Sequence, residues 1–301
     1  MKINIFALAA LSAFLLSGPL TLHAGDPMDD GDASATFGTF TNPERVTIQG
    51  YTQDAMEPFV SLDGQYLFFN NSNAAPNTDL FYATRINDLT FQFQGEIAGA
   101  NTPTSLDAVA SMDINGKFYF VSTRSYTTTL STIYWGDFSN GSLSNVALVP
   151  GVSKLKPGWV NFDAGIRPDG NRLYFVDGFF GTGTFPQSAV ITIAKREGDH
   201  FVRLANSKTI MQKVNTGGLN YAPCPTASDL EFFFTRLSNP ITGPAIFTAT
   251  RAKKSDPFRT PVQIASITGF VEAPTISADG KSLYYHKKES GVFVIYRVTR
   301  P

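Results

Sequence analysis

Apolar positions in this chain fall in short runs rather than in long helical stripes. Runs rich in aromatic and β-branched residues, such as "YLFF", "KFYF" and "AVITIAK", are broken by Asp-Gly, Asn-Gly and Pro. No long stretch repeats its apolar positions every 3.6 residues, as an amphipathic helix would. Short strands bounded by turn residues are typical of all-β proteins, and that is the fold class we predict.

One pattern recurs five times: "EPFVSLDGQYLFF", "DAVASMDINGKFYF", "DAGIRPDGNRLYF", "YAPCPTASDLEFFF" and "EAPTISADGKSLYY". Each copy places a tight turn before a strongly aromatic strand, and in the fourth copy Asp229 stands where the others have glycine. The five turn residues are 52, 54, 59 and 51 positions apart: Gly64, Gly116, Gly170, Asp229 and Gly280. A period of roughly 40 to 55 residues with several strands per unit is the signature of propeller blades.

Four of the five units also contain a segment that we interpret as a fourth strand: "FQGEIAGA", "NVALVPGV", "RLANSKTI" and "PVQIASI". The last unit ends without one. The N-terminal stretch Phe40–Gly50 shares Phe, Pro, Val and Ile with "FRTPVQIASITG", which starts at Phe258. We therefore predict a five-bladed β-propeller whose N-terminal strand pairs with "VFVIYRVTR" and completes the last blade, since an open edge strand would invite aggregation.

The first 24 residues have the layout of a secretory signal peptide. Lys2 precedes an apolar run that is too short to span about 30 Å of hydrocarbon, and a small residue follows at the expected cleavage point. We expect a signal peptide over residues 1–24, a flexible acidic leader over 25–36 and the propeller over 37–301. The mature protein is then periplasmic or secreted and has no membrane span.

Composition narrows the function classes. The net charge is −1, only 16% of residues are charged and no basic stripe appears, so nucleic acid is excluded as a partner. Cys224 is the only cysteine and cannot form an intramolecular disulfide. We expect it to be a small buried side chain rather than a reactive thiol. None of the three histidines has the spacing of a zinc site, and no metal site is assigned.

The repeat resembles the WD40-like, TolB-type propeller repeats. The resemblance is clearest in two segments, "EPFVSLDGQYLFFNNSN…TDLFYATR" and "EAPTISADGKSLYY". It extends over nearly all of the chain after residue 36. The resemblance implies the propeller fold. Such repeats occur in periplasmic and secreted bacterial proteins, some of them binding modules and some of them accessory domains of enzymes, so the resemblance says little about function.

Acidic residues begin several of the repeats. In a propeller the first strand of each blade lines the central channel, and the sequence places Glu57, Asp107 and Asp163 at the start of that strand in one register. In the fifth copy Glu272 lies one residue out of line, and Tyr221 takes the corresponding place in the fourth. Carboxylates gathered around one pore repel one another, so some must be protonated or a cation must neutralise them.

Three interpretations of these acids remain open. They could hold a hard cation such as Ca²⁺, or a cationic ligand, in the channel. They could hydrolyse glycosides, because the placement on successive blades resembles the five-bladed arabinanase and fructosidase families, with Glu57, Asp107 and Asp163 as the working acids and Trp159 as a sugar platform. They could also be structural, accepting backbone N–H groups of the neighbouring blade.

No complete catalytic set is evident, so we favour a non-catalytic binding or scaffold module that acts through its pore face or loops. We expect no enzymatic activity and no cofactor beyond Ca²⁺ in the channel, with a protein or carbohydrate as the unidentified ligand. The expected ligand-binding residues are Glu57, Asp107, Asp163, Glu272, Tyr221 and Trp159. The alternative is a glycoside hydrolase that uses the channel carboxylates.

Overall fold

Five sheets stand around a common axis and form a five-bladed β-propeller. The computed structural model describes residues 37–73 and 77–301. The predicted signal peptide and acidic leader lie outside the described residues. In the part of the chain that is described, no helix is long and apolar enough to cross a membrane.

The chain supplies the strands blade by blade, and the last blade takes its outermost strand from the N-terminal stretch. In chain order the strands are β1 (Thr41–Arg45), β2 (Thr47–Gln49), β3 (Met56–Val60), β4 (Tyr66–Asn70), β5 (Leu80–Asn87), β6 (Thr90–Glu96), β7 (Asp107–Met112), β8 (Lys117–Ser122), β9 (Ile133–Ser139), β10 (Ser142–Leu148), β11 (Trp159–Val160), β12 (Ala164–Ile166), β13 (Arg172–Phe179), β14 (Ser188–Glu197), β15 (His200–Arg203), β16 (Leu219–Pro225), β17 (Glu231–Leu237), β18 (Ala245–Thr250), β19 (Val262–Gln263), β20 (Val271–Ile276), β21 (Ser282–Glu289) and β22 (Val292–Thr299). Two helical turns, α1 (Tyr126–Thr129) and α2 (Ser207–Ile210), interrupt the strands.

The strands of each blade follow one another outward from the axis. The sheet orders are β3-β4-β5-β6-β2, β7-β8-β9-β10, β12-β13-β14-β15 with β11 also on β13, β16-β17-β18-β19, and β20-β21-β22-β1. The innermost strands β3, β7, β12, β16 and β20 therefore surround the axis.

The second strand of each blade is buried on both faces because neighbouring blades pack against it. Phe68 on β4 contacts two rings of the next blade edge-on, Phe118 at 5.1 Å and Phe138 at 4.9 Å between ring centroids. Burying each such side chain stabilises the fold by about 1.5–3 kcal/mol. The aromatic runs that define the sequence repeat therefore form the interfaces between blades.

The turn between the first and second strands needs a left-handed residue. Gly64 has φ of 70°, and Asp229 adopts the same conformation at 60°, which confirms its predicted place in the fourth copy. The side chain of Asp229 is buried, accepts a hydrogen bond from Tyr174 at 2.5 Å and forms an ion pair with Arg251 at 2.8 Å. This anchoring offsets the strain that a residue with a Cβ atom meets at positive φ.

The N-terminal strand closes the ring, as predicted. β1 pairs antiparallel with β22, and the N–H of Val46 donates to Ile295 at 2.8 Å. The prediction was wrong for the rest of the segment, because β2 leaves the last blade and runs parallel to β6, with Ile48 beside Phe91. One short segment thus joins the last blade to the first.

The fourth strand of the third blade also differs from the prediction. The segment "RLANSKTI" supplies only the end of β15, and its second half forms α2. The chain turns back at once after β14, with Gly198 at φ of 65°, so the outer strand begins at His200. The prediction placed this strand too late because it missed the two-residue turn.

Candidate functional site

Four inner strands carry one non-glycine residue at positive φ, and it lies seven positions before the turn residue. These residues are Glu57, Val109, Ala222 and Ala273, with φ between 49° and 58°. Asp163 has the same spacing from Gly170 in the third blade. Asp107 lies two residues before Val109, so its predicted shared register with Glu57 and Asp163 is wrong.

The left-handed residues mark β-bulges. Pairing with the second strand shifts there, for example between Met56 and Phe59, and an N–H group of the inner strand is released from the ladder. Side chains of the preceding blade accept those groups. The bonds are Glu57 N to His286 Nδ1 (3.0 Å), Val109 N to Asn70 Oδ1 (3.2 Å), Ala222 N to Asp163 Oδ2 (2.9 Å) and Ala273 N to Thr235 Oγ1 (3.0 Å).

Five side chains from four blades form what we call the acid cluster: Glu57, Asp163, Tyr221, Glu272 and His286. All five are buried. The Tyr221 hydroxyl donates to Glu272 Oε1 at 2.5 Å, and His286 Nε2 lies 3.1 Å from Glu272 Oε2. Glu272 thus contacts Tyr221 of the neighbouring blade.

Hydrogen bonding fixes the proton on His286. Its Nδ1 accepts the backbone N–H of Glu57, so the ring proton is on Nε2 and points at Glu272. Glu272 accepts hydrogen bonds from both Tyr221 and His286. The buried histidine links the first and last blades at the point where the ring closes.

Burial dominates the electrostatics of the other members. It raises the pKa of Asp163 well above its usual value, and the charges of Glu57 and Glu272 act in the same direction. Burial also raises the pKa of Glu57, with Glu272 adding to the effect. The pKa of the Tyr221 phenol is raised well above its usual value for the same reasons. Asp163 thus holds a proton to higher pH than an exposed aspartate does.

Asp107 has a different environment from the acid cluster. Its carboxylate forms an ion pair with Arg124 at 2.7 Å and accepts the N–H and hydroxyl of Thr102 at 2.7 and 2.8 Å. All of these partners lie on the second blade or on the loop that leads into it. The structure brings Glu57, Asp163, Glu272 and Tyr221 together and leaves Asp107 outside.

Trp159 lies in the loop that enters the third blade. Its ring packs against Phe179 at 5.1 Å between centroids, and the ammonium group of Lys154 lies 3.2 Å from its centroid. Lys154 is in turn 3.3 Å from Asp177. These contacts use the ring to anchor its loop.

The acid cluster does not fit a calcium ion. Ca²⁺ takes six to eight oxygen ligands. Glu272 is already bound by Tyr221 and His286, and one oxygen of Asp163 accepts the N–H of Ala222. Within residues 37–73 and 77–301, no group of three or more His, Cys, Asp or Glu is arranged to hold a metal.

Sequence reasoning missed two members of this environment. His286 was set aside because no ligand was apparent near it, yet it is paired directly across the strands with Glu272. Asn73, from the loop after β4, donates to Glu57 Oε1 at 3.1 Å. The available signal was a polar residue within a buried aromatic strand, because Asn70, Thr235 and His286 accept the N–H groups at three of the four bulges.

No protein-family model matches this sequence, and the search of curated proteins found no match. Solved structures do resemble the fold. Zg3597, a family 117 glycoside hydrolase from the marine bacterium Zobellia galactanivorans, is 11% identical, with 87% of this chain and 90% of that chain covered and a TM-score of 0.55. The α-L-arabinofuranosidase PaAbf62A from Podospora anserina is 11% identical, with 88% and 96% covered and a TM-score of 0.55.

A thermostable family-43 glycoside hydrolase is also similar, at 13% identity, with 85% of this chain and 97% of that chain covered and a TM-score of 0.50. TolB from Acinetobacter baumannii matches with a TM-score of 0.46, which is too low to carry an argument. Likeness at this level of identity establishes the propeller fold.

These comparisons correct two expectations. The preference for a non-catalytic binding or scaffold module, and the expectation of no enzymatic activity, were wrong. The solved structures that match with TM-scores of 0.50 to 0.55 include three propeller glycoside hydrolases, which favours the hydrolase alternative. The first interpretation considered acids on successive blades but favoured a binding module, because no complete catalytic motif was evident in the sequence.

Proposed function

We propose that this protein is a glycoside hydrolase whose chemistry is carried by the acid cluster. The observation that supports the proposal best is that Asp163 and Glu57 lie with a bound carboxylate, Glu272, at one end of the propeller axis. Glycoside hydrolysis needs one carboxyl group that holds a proton and one that is ionised. An environment that pushes the pKa values of neighbouring carboxyl groups apart provides both.

The structure suggests a role for each acid. Asp163 is the proton donor, because burial and two neighbouring charges raise its pKa. Glu57 is the base or nucleophile, because the hydrogen bond from Asn73 lowers its pKa against the effect of burial. Glu272 is a positioning residue. Held by Tyr221 and His286, it supplies the charge that keeps the proton on Asp163.

The comparisons support a substrate class. PaAbf62A is an α-L-arabinofuranosidase, and we propose that this protein likewise cleaves a terminal pentose from a plant or algal polysaccharide. Secretion or export to the periplasm, proposed from residues 1–24, would place it where such polymers occur. We also propose that its repeats belong to the TolB-type group, on the strength of the five turn motifs in the sequence.

The experiment is a hydrolysis screen with 4-nitrophenyl α-L-arabinofuranoside and β-D-xyloside, followed by arabinan, xylan and fructan. Replacing a general acid typically lowers kcat by about 10²–10⁴-fold, and we expect that loss for Asp163→Asn. Asp107→Asn is the matched control, because Asp107 lies outside the acid cluster, and it should keep wild-type kcat.

A second measurement separates the donor from the positioning residue. Glu272→Gln removes a negative charge that raises the pKa of Asp163, so the descending limb of the pH–rate profile should move to lower pH. Absence of hydrolysis on all five substrates by the folded protein would reject the proposal. Equal loss in Asp107→Asn and Asp163→Asn would reject these roles.

A further inference from the structure

A cavity of about 680 Å³ runs along the axis from Glu57 of the acid cluster to the turns between first and second strands. Ligand pockets in proteins commonly have volumes of about 300–1,000 Å³. The cavity opens on the face that carries the turns between first and second strands. Ile114, just before one of those turns, is 72% exposed at the rim, whereas Pro58, deeper in the channel, is buried.

Fifteen apolar residues of the wall form three rings, and each blade gives one residue to each ring; Ser111, Thr226, Ser228, Thr275 and Ser277 also line the cavity. The rings, from the closed end to the rim, are Pro58, Ala110, Ala164, Pro223 and Pro274; then Val60, Met112, Ile166, Pro225 and Ile276; then Leu62, Ile114, Pro168, Ala227 and Ala278. At about 3.3 Å per residue, the inner strands carry these rings over roughly 13 Å of depth.

The same wall presents fewer free backbone N–H groups than an ordinary edge strand. The inner strand is the edge of its sheet, and an edge strand normally presents free N–H groups. Proline occupies five of the fifteen wall positions and has no N–H to present. Three nearby hydroxyl groups are already used: Ser111 donates to Ala164 O (3.0 Å), Thr226 to Glu231 O (2.8 Å) and Ser277 to Asp279 (2.5 Å).

Four charged side chains besides Glu57 line the cavity: Arg300 and Glu231 pair with each other, and the exposed Asp279 and Lys281 lie at the rim. Arg300 holds Glu231 through two hydrogen bonds of 2.7 and 2.6 Å, and both side chains are almost fully buried. At the closed end, the last residues that line the cavity are those with positive φ, among them Val109, Ala222 and Ala273. Glu57 is the single member of the acid cluster that borders the cavity.

Such a wall suits an apolar occupant. A buried water needs two to four polar partners, which these rings offer at few points. A sugar would lose its hydrogen bonds with water and gain few in return. We propose that the channel is a binding site for an uncharged, largely hydrocarbon small molecule that enters from the turn face, at the opposite end of the channel from Glu57.

The test uses N-phenyl-1-naphthylamine, an uncharged fluorescent probe of apolar sites, with the whole chain. Its fluorescence should rise to saturation at one probe per chain, and 1-dodecanol should displace it whereas L-arabinose should not. Ala278→Phe and Ala227→Phe narrow the rim at exposed positions and should each weaken probe binding at least tenfold. Ala147→Phe, at an exposed alanine on the outer strand β10, is the matched control and should bind as wild type does.

A second readout is independent of fluorescence. A ligand that binds only the folded state raises the melting temperature, so dodecanol should stabilise the wild type and the Ala147→Phe variant but not the two rim variants. Unsaturable probe binding, displacement by arabinose, or equal binding by the rim variants and the control would overturn the proposal. Each result is separate from the hydrolase proposal, which is tested on the acid cluster.

Discussion

The two ends of the propeller axis are built from the same five strands, yet one end is acidic and the other is apolar. The acidic end coincides with the bulges, where backbone N–H groups leave the ladder and need acceptors. Asp163 and His286 each accept one of them. Beyond the bulges the inner strands again pair regularly with the second strands, and the three apolar rings of the cavity wall carry no charged side chain. The comparison teaches that polar groups accumulate where the strand itself is unpaired.

The largest expected effect comes from removing the histidine at the acidic end. His286→Ala leaves the N–H of Glu57 without an acceptor and takes one of two donors from the buried Glu272. Removing one partner of a buried polar pair costs about 3–5 kcal/mol, and we expect that loss in the free energy of unfolding measured with urea. His200→Ala, at a half-exposed histidine, is the control and should change stability little. A loss below about 1 kcal/mol for His286→Ala would show that the acid cluster does not depend on this ring.

The second expected effect is a pH dependence of the free energy of unfolding that arises at the acidic end alone. Because burial raises the pKa of Asp163 in the folded state, folding favours its protonated form. That contribution is complete below the usual aspartate pKa and is lost as pH rises toward the raised value, with a slope of up to about 1.4 kcal/mol per pH unit for one proton. Asp163→Asn cannot ionise, so its stability should fall less than that of the wild type between pH 4 and pH 8.

The same urea titrations at each pH separate this effect from a general loss of stability. Asp107→Asn, outside the acid cluster, should keep the wild-type slope. Parallel slopes for wild type and Asp163→Asn would contradict the raised pKa and, with it, the assignment of Asp163 as proton donor.

The fold could be predicted from the sequence because a tight turn has a strict chemical requirement. Turn glycines recur in four copies, and the fifth copy substitutes Asp229, one of the few residue types that tolerate the left-handed conformation. Ring closure by Phe40–Gly50 was predictable from its likeness to a fourth strand. The crossing of the chain to the first blade at Thr47 could not be predicted, because a strand shows the same alternation of side chains whether it pairs in parallel or antiparallel.

The acid cluster was harder to predict. Counting back seven residues from each turn places Glu57, Asp163 and Val109 together, whereas matching acidic residues by eye placed Asp107 there instead. His286 gave no signal of its own, since its role depends on facing Glu272 across two strands and Glu57 across a blade interface. Contacts between blades are long-range, and a local pattern does not encode them.

The smallest expected effect belongs to the apolar end of the axis. Cys224 borders the channel and is half-buried, and burial raises the pKa of its thiol to about 12, so it remains protonated. Cys224→Ala should cost only about 1 kcal/mol of unfolding free energy in urea, because the channel already lies beside the atoms removed. Its cross-strand partner Phe233 is fully buried against Phe40, so Phe233→Ala should cost about 3–5 kcal/mol. Equal losses for the two variants would mean that Cys224 is packed on all sides, and the open channel that separates the two ends of the axis would then be filled.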